Sequence, residues 1–157
     1  AVSAPGWGEL VLRILGRYRW EVRWEYSGLF HDPSLFTPQM AAEVLANRAR
    51  PRAAAILLSM LRQGVTWRGV RGDVLLLDRL PLVQAPTLIA WGAQDPLFPL
   101  SHARRAQQGI PRSRLEVFPD CRHCPQLEYP ERFNDVVGSF LAAETANLAL
   151  DAGPAPP

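Results

Sequence analysis

The chain contains no lysine: all 17 of its basic residues are arginine, set against 15 acidic residues for a net charge of +2. The arginines are interspersed with glutamate and aspartate, so the concentrated basic face needed to hold a phosphate backbone is missing, and nucleic acid is excluded as a partner. With alanine and proline abundant, arginine in place of lysine points to the coding bias of a GC-rich genome. Cysteine is limited to two residues, Cys121 and Cys124, too few and too close for a disulfide framework. No apolar run is long enough to span a bilayer, and no basic segment leads into an apolar stretch with a small-residue cleavage site. The expectation is a cytoplasmic chain of one domain's length, without repeats and without a membrane partner.

What is present is organised around Ala85 to Pro99, APTLIAWGAQDPLFP. Thr87 to Trp91 is a short apolar run bounded by proline and glycine, as expected of a parallel strand buried on both faces. It stops at Gly92 and delivers Asp95 onto a loop held by Pro96 and Pro99. Ligands of open α/β sheets bind just beyond the carboxyl ends of such strands, which is where Asp95 would lie. A second run, Arg114 to Phe118, comes after a helix-sized gap and leads into PDCRHCPQLEYPERFN. His123 falls a few residues past this strand, as Asp95 does past its own. Adjacent parallel strands would bring carboxylate and imidazole to one sheet edge, the arrangement in which an acid fixes a histidine's tautomer and stabilises its protonated form.

PTLIAWGAQDPLFP followed by HCPQLEYPERFN resembles the carboxyl-terminal part of the α/β-hydrolase superfamily. The resemblance implies an α/β fold class: a helical cap segment, then the last two parallel strands and helices of the hydrolase sheet, a partial domain. It implies Asp95 as catalytic acid and His123 as catalytic base. It implies a small-molecule substrate with an ester, amide, C–C or carbon–halogen bond to be broken, and no cofactor or metal.

The rest of the chain is expected to be helical up to residue 80, with no strand pattern. Trp7 to Tyr26 has one apolar stripe through Trp7, Leu10, Val11, Ile14, Leu15, Tyr18 and Val22; Trp20 and Trp24 lie off it and suggest a second packing surface. His31 and Asp32 are adjacent on a turn, where they would not face each other as a catalytic pair. Thr37 and Pro38 predict a capped helix running to about Arg50. A further helix over Arg52 to Gln63, apolar at Ala53, Ile56, Leu57 and Met60, closes on Gly64. Val65 to Gly72 is a connector, and Asp73 caps a short turn ending at Leu80. This part resembles the cap that many of these hydrolases insert before the acid strand. The segments are thus residues 1–80 as cap, 81–146 as the carboxyl-terminal part of the core, with a helix from Ser101 to Gln108 and a final helix from Pro130, and 147–157 as a disordered tail.

The family's nucleophile sits on a strained strand-to-helix turn, usually Gly-x-Ser-x-Gly. No serine here has glycines at that spacing, and no glycine-rich loop offers oxyanion-hole amides. The expectation is therefore the later half of a hydrolase domain, inactive alone, whose open sheet edge would allow self-association. Arg122 is a local departure, since the residue before the family's histidine is usually glycine; if that glycine supplies positive φ, arginine would displace the imidazole. Two alternatives stay open. One is a thiol-disulfide oxidoreductase using Cys121 as an exposed low-pKa thiolate and Cys124 as its resolving partner. The other is a non-catalytic interaction remnant. Zinc at Cys121, His123 and Cys124 lacks a fourth ligand.

Overall fold

The computed structural model describes residues 19–66, 69–72 and 75–151. The chain divides into two compact units, residues 1–28 with 32–78, and residues 29–31 with 79–157.

The first unit is mainly helical. Its helices are α1 (Arg19–Ser27), α2 (Pro38–Arg48) and α3 (Ala53–Gly64), with a 3-10 turn at Pro33–Leu35 between the first two. The predicted stripe of α1 before residue 19 lies outside the described residues. Asp32 caps the 3-10 turn by accepting the Ser34 N–H at 2.8 Å. Thr37 caps α2, its hydroxyl accepting the Met40 N–H at 3.2 Å, with Pro38 preset for the first turn. Tyr26 ties α1 to the 3-10 turn and to α2: it stacks on Phe36 at 5.6 Å and lies under the Arg48 guanidinium, which also meets Glu25 at 2.7 Å. Val22, Phe36, Ala41 and Leu58 are buried.

Several expectations for the chain up to Leu82 are corrected. The segment before residue 80 is not free of strand: Val65–Thr66 (β1) and Gly69–Val70 (β2) form an antiparallel hairpin. Two-residue strands are too short to show a period of two, so the sequence could not announce them. In α3 the buried residue is Leu58, whereas Ile56, Leu57 and Met60 are exposed, because this helix is apolar around more of its circumference than its neighbours cover. Trp20 and Trp24 are also exposed. Asp73 lies outside the described residues, and the turn it was expected to cap is a 3-10 stretch, Leu77–Leu82, that runs through Pro81.

The second unit holds the site. Thr87–Gly92 (β3) and Ser113–Phe118 (β4) are hydrogen-bonded parallel neighbours, with Thr87 opposite Ser113 and Gly92 opposite Phe118. Parallel pairing requires a crossover, which is provided by α4 (Leu100–Gly109). The N-cap of α4 is Pro99, without a side-chain bond, so Ser101 is inside the first turn and is not the cap. The close of α4 is tight: a Cβ on Gly109 would stand 2.8 Å from Leu80 Cδ1. After β4 come the single turn α5 (Pro125–Glu128) and the long helix α6 (Pro130–Asp151). Since α6 continues to Asp151, residues 147–151 are helical; residues 152–157 lie outside the described set.

The centre of this unit is Phe118, which has no exposed surface and lies 6.2 Å from the Tyr129 ring and 6.4 Å from that of Phe133. Arg132 covers its other face at 4.6 Å while reaching Glu116 at 2.7 Å. Phe30, Gly92, Ala103, Ile110, Cys121 and Pro125 are buried with it. Burying a phenylalanine contributes about 2 to 3 kcal/mol. Where burial on both faces was expected, the strands are buried only at Gly92 and Phe118, exposed at Arg114 and half-buried elsewhere, because two strands and their helices cover a parallel sheet incompletely. On α6, Phe133, Val136, Val137 and Phe140 are half-buried and Leu141 is exposed.

Candidate active site

Both loops of interest leave the carboxyl ends of β3 and β4, and hydrogen bonds join them. Ala93 N–H donates to the Phe118 carbonyl at 2.8 Å, extending the ladder past Gly92, and Gln94 N–H donates to the Cys121 carbonyl at 2.9 Å. The Gln94 side-chain amide reaches the Pro119 carbonyl at 3.3 Å. The second loop also folds against the end of β3. A Cβ on Gly92 would overlap the Arg122 carbonyl oxygen and lie 2.7 Å from both the Arg122 carbonyl carbon and the Cys121 carbonyl oxygen. Glycine ends this strand because another backbone occupies the place of a side chain.

Asp95 uses its two oxygens differently. Oδ1 accepts the N–H groups of Leu97 at 2.8 Å and Phe98 at 3.0 Å, an Asx turn that sets the loop around Pro96. Oδ2 lies 2.9 Å from Nδ1 of His123. Trp91 pins the far side of the turn by donating its indole N–H to the Phe98 carbonyl at 3.1 Å. The Asp95 side chain is only 5% exposed, against 31% for His123, so the carboxylate is inside and the imidazole is at the opening. Burial alone would push the Asp95 carboxyl up, but the hydrogen bonds from His123, Phe98 and Leu97 outweigh it and hold the group below the ordinary carboxylate value. An ionised carboxylate is an acceptor only, so Nδ1 carries the proton and Nε2 is the ring's basic nitrogen. The Phe98 ring lies 5.8 Å from the imidazole.

Arg122 does not distort this arrangement through its backbone. Among the described residues the one non-glycine with positive φ is Arg52, so the loop takes arginine before the histidine without the left-handed conformation that would demand glycine. His123 N–H donates to the Leu29 carbonyl at 2.9 Å. His31 and Asp32 do not form a pair: Asp32 caps its own turn, and His31 Nδ1 lies 3.1 Å from Gln94 Oε1.

The cysteines do not match an attacking dithiol. Cys121, expected exposed and acidic, is fully buried, and its thiol is pushed far above the ordinary cysteine value by burial and by the Glu128 carboxylate, to which it donates at 3.2 Å. Cys124 is half-buried and raised as well, again by burial first and then by Glu128. Among the described residues no three histidine, cysteine or acidic side chains are grouped to hold a metal ion, and no helix is long and apolar enough to cross a membrane. Sequence reasoning missed Glu128, whose carboxylate meets Cys121, Arg122, Cys124 and His31. An isolated glutamate in a short turn carries no signal of four converging donors.

Comparison with known proteins shows the family. Over 99 residues the chain is 38% identical to an uncharacterised protein of Mycobacterium bovis, covering 62% of this chain and 28% of that one. Over 64 residues it is 48% identical to a 2-hydroxy-6-oxononadienedioate/2-hydroxy-6-oxononatrienedioate hydrolase of Pseudomonas putida, covering 41% of this chain and 22% of the relative. Among solved structures it is similar to a meta-cleavage product hydrolase from Pseudomonas fluorescens, with a TM-score of 0.68 and 27% identity, over 81% of this chain and 46% of that one. The chain thus spans between a fifth and a half of the length of these relatives. Residues 6–130 match the family described as alpha/beta hydrolase fold, and the chain belongs to that family.

Proposed function

We propose that Asp95 and His123 are the acid and base of a nucleophile–histidine–acid triad in a hydrolase, and that the nucleophile comes from a part of the enzyme other than this chain. The single observation that carries the reading is the 2.9 Å contact between His123 Nδ1 and the buried Asp95 Oδ2, beyond the carboxyl ends of two paired parallel strands. In this mechanism Asp95 holds the imidazole with its proton on Nδ1. Nε2 takes the proton of a hydroxyl nucleophile as it attacks a carbonyl carbon, and the imidazolium then returns a proton to the departing group. Water repeats the cycle to release the acyl product.

The substrate class we propose is a 2-hydroxy-6-oxo-dienoic acid. The Pseudomonas putida relative is named for such compounds. Their names contain no ester or amide, so hydrolysis at the 6-oxo group must break a carbon–carbon bond, adding hydroxyl to the acyl carbon and a proton to the other fragment. The helical first unit is proposed as the cap that selects this substrate. A cytoplasmic setting and strand pairing along the open edge of the β3–β4 sheet belong to the same proposal.

The test is the coding sequence that precedes the codon for Ala1. An in-frame strand followed by Gly-x-Ser-x-Gly is expected, and the protein expressed with that segment should consume a 2-hydroxy-6-oxo-dienoate in a reaction lost in His123→Ala. An extended protein with a Gly-x-Ser-x-Gly whose turnover survives His123→Ala would overturn the assignment.

A further inference from the structure

One side chain ties the backbone on both sides of His123. Glu128 Oε1 accepts the Arg122 N–H at 2.9 Å, the Cys124 N–H at 3.4 Å and the Cys121 S–H at 3.2 Å. Its other oxygen, Oε2, accepts the His31 N–H at 2.6 Å. The backbone amides immediately before and after His123 are therefore tied to the same oxygen. The one-turn helix α5 makes this possible: Leu127 and Glu128 N–H both donate to the Cys124 carbonyl at 2.9 Å, which folds Glu128 back under the loop that precedes it.

Four donors converge on this group, and a carboxylate suits them because it is acceptor-only with about four lone-pair sites. An amide would turn an NH2 toward one donor. The opposite side of the loop is equally restricted, since the Arg122 carbonyl lies against the bare backbone of Gly92. Between these two contacts the loop has little room to shift, and the imidazole is placed with it.

We infer that Glu128 is a positioning residue for His123: its carboxylate fixes the amides flanking the histidine and thereby sets the contact of Nδ1 with Asp95 Oδ2. The inference deepens the proposed function, because it rests on reading His123 as the base, but its test reads the imidazole itself and not turnover.

The experiment is nitrogen NMR of the His123 ring in the 15N-labelled full chain, together with amide exchange at Arg122 and Cys124. In the wild-type chain the neutral ring should carry its proton on Nδ1. In Glu128→Ala the ring should become a mixture of tautomers, and exchange at the two amides should rise by at least about ten-fold, the equivalent of one hydrogen bond to a charged group. Glu128→Gln keeps one acceptor oxygen and should fall between the two; Glu128→Asp, a methylene shorter, should resemble the alanine variant. A wild-type ring pattern and wild-type protection in Glu128→Ala would overturn the inference. If that variant does not unfold cooperatively, the same wild-type result in Glu128→Gln and Glu128→Asp overturns it. A purely structural role would lower the unfolding midpoint and leave the tautomer on Nδ1. Should turnover in the extended enzyme prove independent of His123, the catalytic reading fails while this ring measurement keeps its own outcome.

Discussion

Replacing Gly92 by alanine should damage the site and the fold together. The new methyl would overlap the Arg122 carbonyl oxygen and stand 2.7 Å from two further backbone atoms. Ordinary contact begins near 3.4 Å, so the strand end and the histidine loop must separate by at least about 0.7 Å. If the loop takes up that shift, the Gln94–Cys121 bond and the Asp95–His123 contact, both 2.9 Å, open to at least about 3.6 Å, beyond a useful hydrogen bond. Losing one neutral and one charge-assisted bond costs about 3 kcal/mol, and residual overpacking adds about 1 to 2 kcal/mol. The expected destabilisation is thus about 4 to 5 kcal/mol in urea unfolding followed by circular dichroism. Gly138→Ala is the control: its site on α6 is exposed with nothing within 4 Å, and it should stabilise by about 0.5 to 1 kcal/mol. A Gly92→Ala chain within about 0.5 kcal/mol of wild type would show that the backbone approach at Arg122 yields freely, and the reasoning would be refuted.

The remaining predictions concern the charged pair, the thiols and the chemistry. Asp95 is held below the ordinary carboxylate value, about 3.9, so its contribution is complete above that pH and lost as pH falls through its lower folded value; the stability gap between wild type and Asp95→Asn should be constant near neutrality and close below about pH 4, and a gap unchanged to pH 2 would contradict the ionised pair. Iodoacetamide at neutral pH should leave Cys121 unmodified until the chain is unfolded and should label Cys124 more slowly than free cysteine, since burial raises both thiols; rapid native labelling of Cys121, or catalysed insulin reduction lost in Cys121→Ser, would restore the dithiol reading. The chain alone should hydrolyse an activated ester no faster than imidazole at equal concentration, and saturable turnover abolished by His123→Ala would reveal an overlooked nucleophile.

The sequence alone was enough to place the two strands and the loop that carries Asp95. Thr87 to Trp91 is an apolar run, Arg114 to Phe118 alternates charged and apolar residues, both have clear stops, and Asp95 with Pro96 is a turn signal, so strand and loop were readable from a few consecutive residues. The same holds for Thr37 with Pro38, where the cap is written into two adjacent positions. These features depend on local sterics and on neighbours within one turn or one strand.

The tertiary structure decided whatever required distant backbone to meet. Asp95 and His123 are 28 residues apart, and their contact arises from the register that sets Gly92 opposite Phe118. That Gly92 must be glycine, that Arg122 needs no positive φ, and that Cys121 is buried against Glu128 all result from the fold of one loop over the end of another strand. The exposed face of α3 and the two-residue strands β1 and β2 were hidden for a related reason. Which apolar residues are covered, and which short segments pair, is set by partners that periodicity along one segment does not encode.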